Sequence, residues 1–114
     1  MAFSIENSAR HLVLQNGSAA TLKIGPFLDE TDGKTPMISL SIVQADVRIS
    51  KNDGDFTQKT DATIASHTEN GYYDIPFNGS DINTEGTLLI AIHKIGALPV
   101  WTEYKVGENL GGGS

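Results

Sequence analysis

A period of two recurs along this chain, broken by turn dipeptides. Residues 87–94 read Thr-Leu-Leu-Ile-Ala-Ile-His-Lys, and residues 100–106 read Val-Trp-Thr-Glu-Tyr-Lys-Val. The first is a strong strand; the second alternates apolar and polar, and since successive side chains of a strand point to opposite faces it is a strand too. Gly96-Ala97-Leu98-Pro99 links the two segments and Gly107 stops the second, which predicts a closing hairpin. No segment sustains a helical period.

The same pattern organises the rest of the chain. Residues 11–15 and 20–24 predict two short strands around Asn16-Gly17-Ser18, with Ala20, Leu22 and Ile24 on one face. Gly25-Pro26 ends the second, because proline cannot donate to a ladder. Residues 29–36 form an exposed acidic loop. Residues 38–42 and 44–51 alternate on either side of a bend, with Ala45, Val47 and Ile49 inward. Asp53-Gly54 predicts a tight hairpin turn that returns through residues 56–59. Asn70-Gly71 predicts another, joining 62–67 to 72–77. Residues 80–86 hold one helical turn, capped by Ser80 or Asp81.

About seven to nine short strands with regular turns define an all-β fold, and a β-sandwich rather than a barrel. The connections at 29–36 and 78–86 are long enough to cross between sheets in Greek-key fashion. The core candidates are Trp101, Ile90, Ile92, Leu40, Ile42, Val47, Ile49, Ile64 and Tyr73. The β-domain spans residues 11–107. Residues 1–10 are an arm with little pattern, either without fixed structure or an extended segment that adds to a neighbour's sheet edge. Residues 108–114 are a flexible glycine-rich tail or linker by composition.

Composition narrows the function. At 114 residues the chain is one domain, large enough to bury a core. It has no cysteine, which rules out disulfides and thiolate metal sites. The net charge is −6, and eight scattered Lys and Arg make no basic patch. Nucleic acid and anionic membrane surfaces are therefore not expected partners. The first residues lack the basic and apolar regions of a signal peptide, and no apolar run is long enough to span a bilayer. Synthesis in the cytosol is expected. Asn16-Gly17-Ser18 and Asn78-Gly79-Ser80 match the glycosylation sequon and read as turns.

No catalytic constellation emerges. No serine sits in a nucleophile elbow. His67 and His93 alternate with apolar neighbours and read as solvent-facing strand positions, and His11 adds no partner set. Asp29, Glu30 and Asp32 share one loop and Asn52, Asp53 and Asp55 another, but neither carries the closing glutamate of an EF-hand. Both read as turn chemistry. Glu69, Asp74, Glu85 and Glu103 define no glycosidase pair. Tyr72, Tyr73, Trp101 and Tyr104 are the aromatics a sugar site would draw on; Tyr73 and Trp101 fit the core better, leaving Tyr72 and Tyr104 as exposed candidates. No catalytic, cofactor-binding or metal-ligating residues are expected.

Three spaced segments carry a resemblance. They are Phe27-Leu28-Asp29-Glu30-Thr31-Asp32-Gly33, Gln44-Ala45-Asp46-Val47-Arg48-Ile49-Ser50-Lys51-Asn52 and Gly96-Ala97-Leu98-Pro99-Val100-Trp101. In that order they resemble a recurrent N-terminal module of tailed-bacteriophage structural proteins, over residues 20–106. The resemblance implies an immunoglobulin-like domain in a virion component, with no enzymatic activity and no cofactor. The expected role is attachment of a tail or neck fibre through protein–protein contacts, in a homo-oligomer whose simplest form is a trimer. The expected partners are other virion proteins of tail, neck or capsid. A capsid decoration protein and a carbohydrate-binding host-recognition module are the alternatives.

Overall fold

The computed structural model describes residues 13–107. The expected arm at 1–10, the tail at 108–114 and His11 lie outside the described residues. The fold is all-β. Among the described residues eight strands are formed: β1 (Val13–Gln15), β2 (Ala20–Ile24), β3 (Val47–Lys51), β4 (Thr57–Gln58), β5 (Ser66–Glu69), β6 (Tyr72–Phe77), β7 (Gly86–Ile92) and β8 (Val100–Gly107). They build a five-stranded sheet, β1-β8-β7-β3-β4, and a three-stranded sheet, β2-β6-β5. All pairs are antiparallel except β1 with β8.

One core joins the sheets. Leu22, Ile24, Tyr73, Ile75 and Phe77 face it from the smaller sheet. Val47, Ile49, Leu88, Ile90, Ile92 and Val106 face it from the larger. Phe27 and Ile82 add from loops. Tyr73 meets Phe27 edge-on at 5.3 Å. Its hydroxyl donates to Met37 O at 2.7 Å and accepts from Leu40 N–H at 3.0 Å, so a buried polar atom is fully used.

Both expected turns form, but only Asn70-Gly71 makes a two-residue hairpin, since β3 and β4 pair only from Ile49 and Thr57 outward. Asn70 and Gly71 have φ of 51° and 86°, the left-handed values that a two-residue turn between β5 and β6 requires. In the β3–β4 turn the left-handed residues are Asn52 and Asp53, at 52° and 63°, one position earlier than Asp53-Gly54 suggests. Gly54 N–H closes that turn on Lys51 O at 3.0 Å. Asn52 takes the strained position because its side chain is anchored. The amide donates to Glu85 O at 3.0 Å and accepts from Thr87 N–H at 2.9 Å.

Several expectations are corrected. Residues 38–42 form no strand. The hydroxyl of Tyr73 and the N–H of Ala65 take the main-chain groups of Leu40 and Ile42 in place of a ladder. Ile42 is buried, Leu40 half-buried and Ile38 exposed. The strand expected at 62–67 starts only at Ser66, and Ile64 is 53% exposed. Asp61 captures Thr63 N–H at 2.8 Å, and the Lys59 ammonium takes Thr63 O, so this backbone turns before it can pair. Ala45 is exposed, because Gln44–Asp46 is a 3-10 turn that enters β3. Residues 80–86 hold turns and no helix. Asn78 there takes the capping role, its side-chain oxygen accepting from Ser80 and Asp81 N–H.

Trp101 is the largest correction. It is 70% exposed. The register pairs Trp101 with Ala91 on the outward side of β7 and β8, while Val100, Thr102, Tyr104 and Val106 face inward. Glu103 and Lys105 share its parity, and charged neighbours at the same parity mark a solvent face.

Candidate interaction surface

The outward face of the larger sheet carries one row in register across its strands: Gln58, Arg48, Ala91 and Trp101. Neighbouring strands lie about 4.8 Å apart, so Arg48 and Trp101 stand about 10 Å apart at the backbone with only a methyl group between them. Arg48 is braced from the side, donating to Phe56 O at 3.2 Å. A concavity of about 410 Å³ opens there, lined by Ala45, Asp46, Arg48, Phe56, Ala91 and His93. His93 is shared with a second concavity of about 270 Å³ toward Glu30, Lys94 and Ile95. Ile95 is 95% exposed at its rim. Trp101, Phe56 and Ile95 thus give this side an apolar content that charged Arg48, Asp46 and Lys94 interrupt.

The first and last of the three sequence segments singled out above meet at the end of this face. Asp29 bridges to Ala97, Glu30 N–H donates to Gly96 O at 3.0 Å, and Leu98 N–H donates to Leu28 O at 2.9 Å. Asp46 of the middle segment bonds the residues that precede the last one: its carbonyl accepts from His93 N–H, and its carboxylate lies 3.5 Å from the Lys94 ammonium.

A buried polar cluster lies apart from this surface. The Lys59 side chain is 1% exposed, and its ammonium donates to Pro76 O at 2.8 Å and Thr63 O at 3.1 Å. It lies 5.6 Å from the centre of the Phe77 ring and 4.0 Å from the Asp61 carboxylate. Burial pushes its pKa below 10.5, while Asp61 and Asp81 act in the opposite direction. Asp81 is fully buried and accepts from Thr60, Asp61 and Asn78 N–H and from the Thr60 hydroxyl. Among the described residues no buried side-chain polar atom lacks a partner, which makes the cluster a brace. Sequence reasoning missed it, because its members come from segments about 20 residues apart and local periodicity carries no trace of them.

The acidic loop spends its carboxylates in the same way. Asp29 accepts from Thr31 N–H, and Asp32 accepts from Lys34 and Thr35 N–H and from the Thr35 hydroxyl. Those bonds hold Asp32 below the usual carboxylate range, the Thr35 hydroxyl most of all. Among the described residues no cluster of His and acidic side chains has metal-ligand spacing. The four carboxylates weighed for a glycosidase pair scatter. Asp74 pairs with Lys23 at 2.8 Å, Glu69 stands on β5, Glu103 on β8 and Glu85 just before β7. His93 is exposed as expected. His67 is half-buried instead, edge-on to Tyr73 at 5.0 Å and accepting from Gly71 N–H. Tyr72 is exposed beside Lys23, Thr68 and Glu69. Tyr104 is half-buried, and desolvation pushes its pKa above 10.0.

The chain matches no protein-family model, no curated protein and no solved structure.

Proposed function

We propose that this chain is a structural module of a tailed-bacteriophage virion, the attachment domain of a tail or neck fibre, and that it binds a protein partner through the Trp101 face of its larger sheet. The observation that carries the reading is the exposure of Trp101 in a row with Arg48. Tryptophan and arginine dominate binding hot spots. The resemblance of residues 20–106 to phage structural modules supplies the context, with an immunoglobulin-like, Greek-key arrangement of the two sheets. Copies around a symmetric hub, most simply three, gain avidity from linkage. The role requires no catalysis and no cofactor.

Assembly of particles in cells that make the other virion proteins tests this reading. Trp101→Ala and Arg48→Glu chains should fold and fail to be incorporated. Normal incorporation of both would overturn it. The position of the chain in an image of the particle separates a fibre anchor from a capsid decoration protein.

Carbohydrate binding is the second reading, and Trp101 favours it as well, since an open indole stacks on sugar rings. Glycan titration of the isolated chain decides between them: saturable binding lost in Trp101→Ala supports host recognition.

A further inference from the structure

The turn between β3 and β4 belongs to the same face as Trp101. Ser50 shares the outward parity of Arg48, yet it is buried, and its hydroxyl donates to Gly54 O at 2.9 Å. The Arg48 guanidinium reaches Phe56 O on the same side. Residues 54–56 therefore arch over the outer face and bring Asp53 and Asp55 to its rim. Both are exposed, and among the described residues neither carboxylate has a hydrogen bond or an ion pair. The turn is held in shape, with Asn52 tied to Glu85 O and Thr87 N–H and Gly54 N–H tied to Lys51 O. It is a narrow acidic projection. The hollow beside it has the opposite character. Among the described residues Arg48 has no carboxylate within ion-pair range. Asp46, the acid that lines the hollow, is spent on the Lys94 ammonium at 3.5 Å and on Val43 N–H at 3.0 Å. Arg48 and His93 remain there beside apolar Ala91 and Phe56.

The register supplies the spacing. Arg48, Ala91 and Trp101 share one row, and Ser50, Leu89 and Glu103 share the next. Asn52 N–H donates to Thr87 O and Thr87 pairs with Lys105, so a third row runs through Asn52, Thr87 and Lys105. Projection and hollow thus lie at the two ends of one face, four residues or about 13 Å apart. Resting on the reading of this face as a protein-binding surface, we propose that its partner is a second copy of this chain. The two copies dock face to face about a two-fold axis over the middle row, with the Asp53–Asp55 turn of each in the Arg48 hollow of the other. A two-fold axis makes every contact twice. Both halves of the complementary pair stand on one face, at a spacing that a single half-turn satisfies, which favours a second copy over an unrelated acidic chain. The same half-turn exchanges the outer rows and carries Trp101 over Lys105 of the second copy, placing an ammonium against the indole. Glu103, on the middle row, meets its own counterpart, a like-charge pair that weakens the dimer and keeps it reversible.

Sedimentation of the full chain across concentration should show a reversible monomer–dimer equilibrium, with tryptophan emission moving blue as the dimer forms. Arg48→Glu in one variant, and Asp53→Lys with Asp55→Lys in another, should each raise the dissociation constant at least about tenfold, because each sets like charges against each other in both contacts. An equal mixture of the two variants has opposite charges at both contacts of the mixed pair and should recover the dimer, a result that misfolded chains cannot produce. Glu103→Gln, which removes the like-charge pair, should tighten the dimer. A chain that stays monomeric at every concentration, a trimer or an open series of copies, or a mixture that stays monomeric would overturn the proposal. The virion reading fails separately. Monomers at every concentration, with Arg48→Glu chains left out of particles, would sink the dimer alone. A dimer that Arg48→Glu disrupts, with normal incorporation of both Trp101→Ala and Arg48→Glu chains, would sink the virion role alone.

Discussion

The ammonium of Lys59, just after β4 of the larger sheet, donates to the carbonyl of Pro76 on β6 of the smaller sheet. One side chain thus spans the interior between the sheets. Its removal leaves Pro76 O and Thr63 O without this donor and Asp81 without a nearby cation. Breaking a buried charge cluster from one side typically costs about 3–5 kcal/mol. Lys59→Ala should lose that much in urea unfolding. Lys59→Met, which keeps the stem packed against Phe77, should lose less.

The alkaline limb of the stability curve should carry two opposed slopes. Lys59 is depressed below 10.5 in the folded state, so between its folded value and 10.5 the unfolded chain holds more protons and stability rises with pH. Tyr104 is raised above 10.0, so beyond 10.0 the unfolded chain loses its proton first and stability falls. Thermal melts against pH check both. Lys59→Met should abolish the rise, and Tyr104→Phe the fall. On the acid side, Asp61 is held below 3.8 chiefly by Thr63 N–H. Its contribution is complete above 3.8 and is lost as pH drops through the lowered folded value.

Gly86 and Asn52 should behave as one unit. Gly86 has φ of 124°, and a Cβ there would fall inside the Asn52 carboxamide. Gly86→Ala should cost about 1–3 kcal/mol through backbone strain and loss of the Asn52 bonds. In an Asn52→Ala background it should cost less, because the clash is gone. A double-mutant cycle measures the difference, and strict additivity would contradict the contact.

Trp101→Ala should change stability by less than about 1 kcal/mol, far from the roughly 3–5 kcal/mol of a core tryptophan. As the single tryptophan, Trp101 reports its own surroundings. Its emission should sit at the red, solvent-exposed end and shift blue when a partner covers the face.

The turns and strands were more legible than the faces. Asn70-Gly71 marks its hairpin because few residue pairs tolerate two left-handed positions. The β7–β8 hairpin follows from a strong strand, an alternating one and the Gly96–Pro99 link between them. Trp101 misleads because size suggests core, whereas the parity shared with Glu103 and Lys105 gives the right face. Residues 38–42 alternate as a strand does, but Tyr73 takes the N–H of Leu40, a long-range bond that no local pattern encodes. The Lys59 cluster was illegible for the same reason, as was the meeting of the Asp29 and Gly96 segments.

Ala91 has a consequence of its own. It is the smallest member of its row, standing between an arginine and a tryptophan. A partner with a flat surface would rest on the two tall neighbours and leave a void over the methyl group. In the proposed interaction the row would therefore select by shape: it would admit a narrow protrusion that descends to the sheet, and a single enlargement at Ala91 would close it without altering any charge or any aromatic ring.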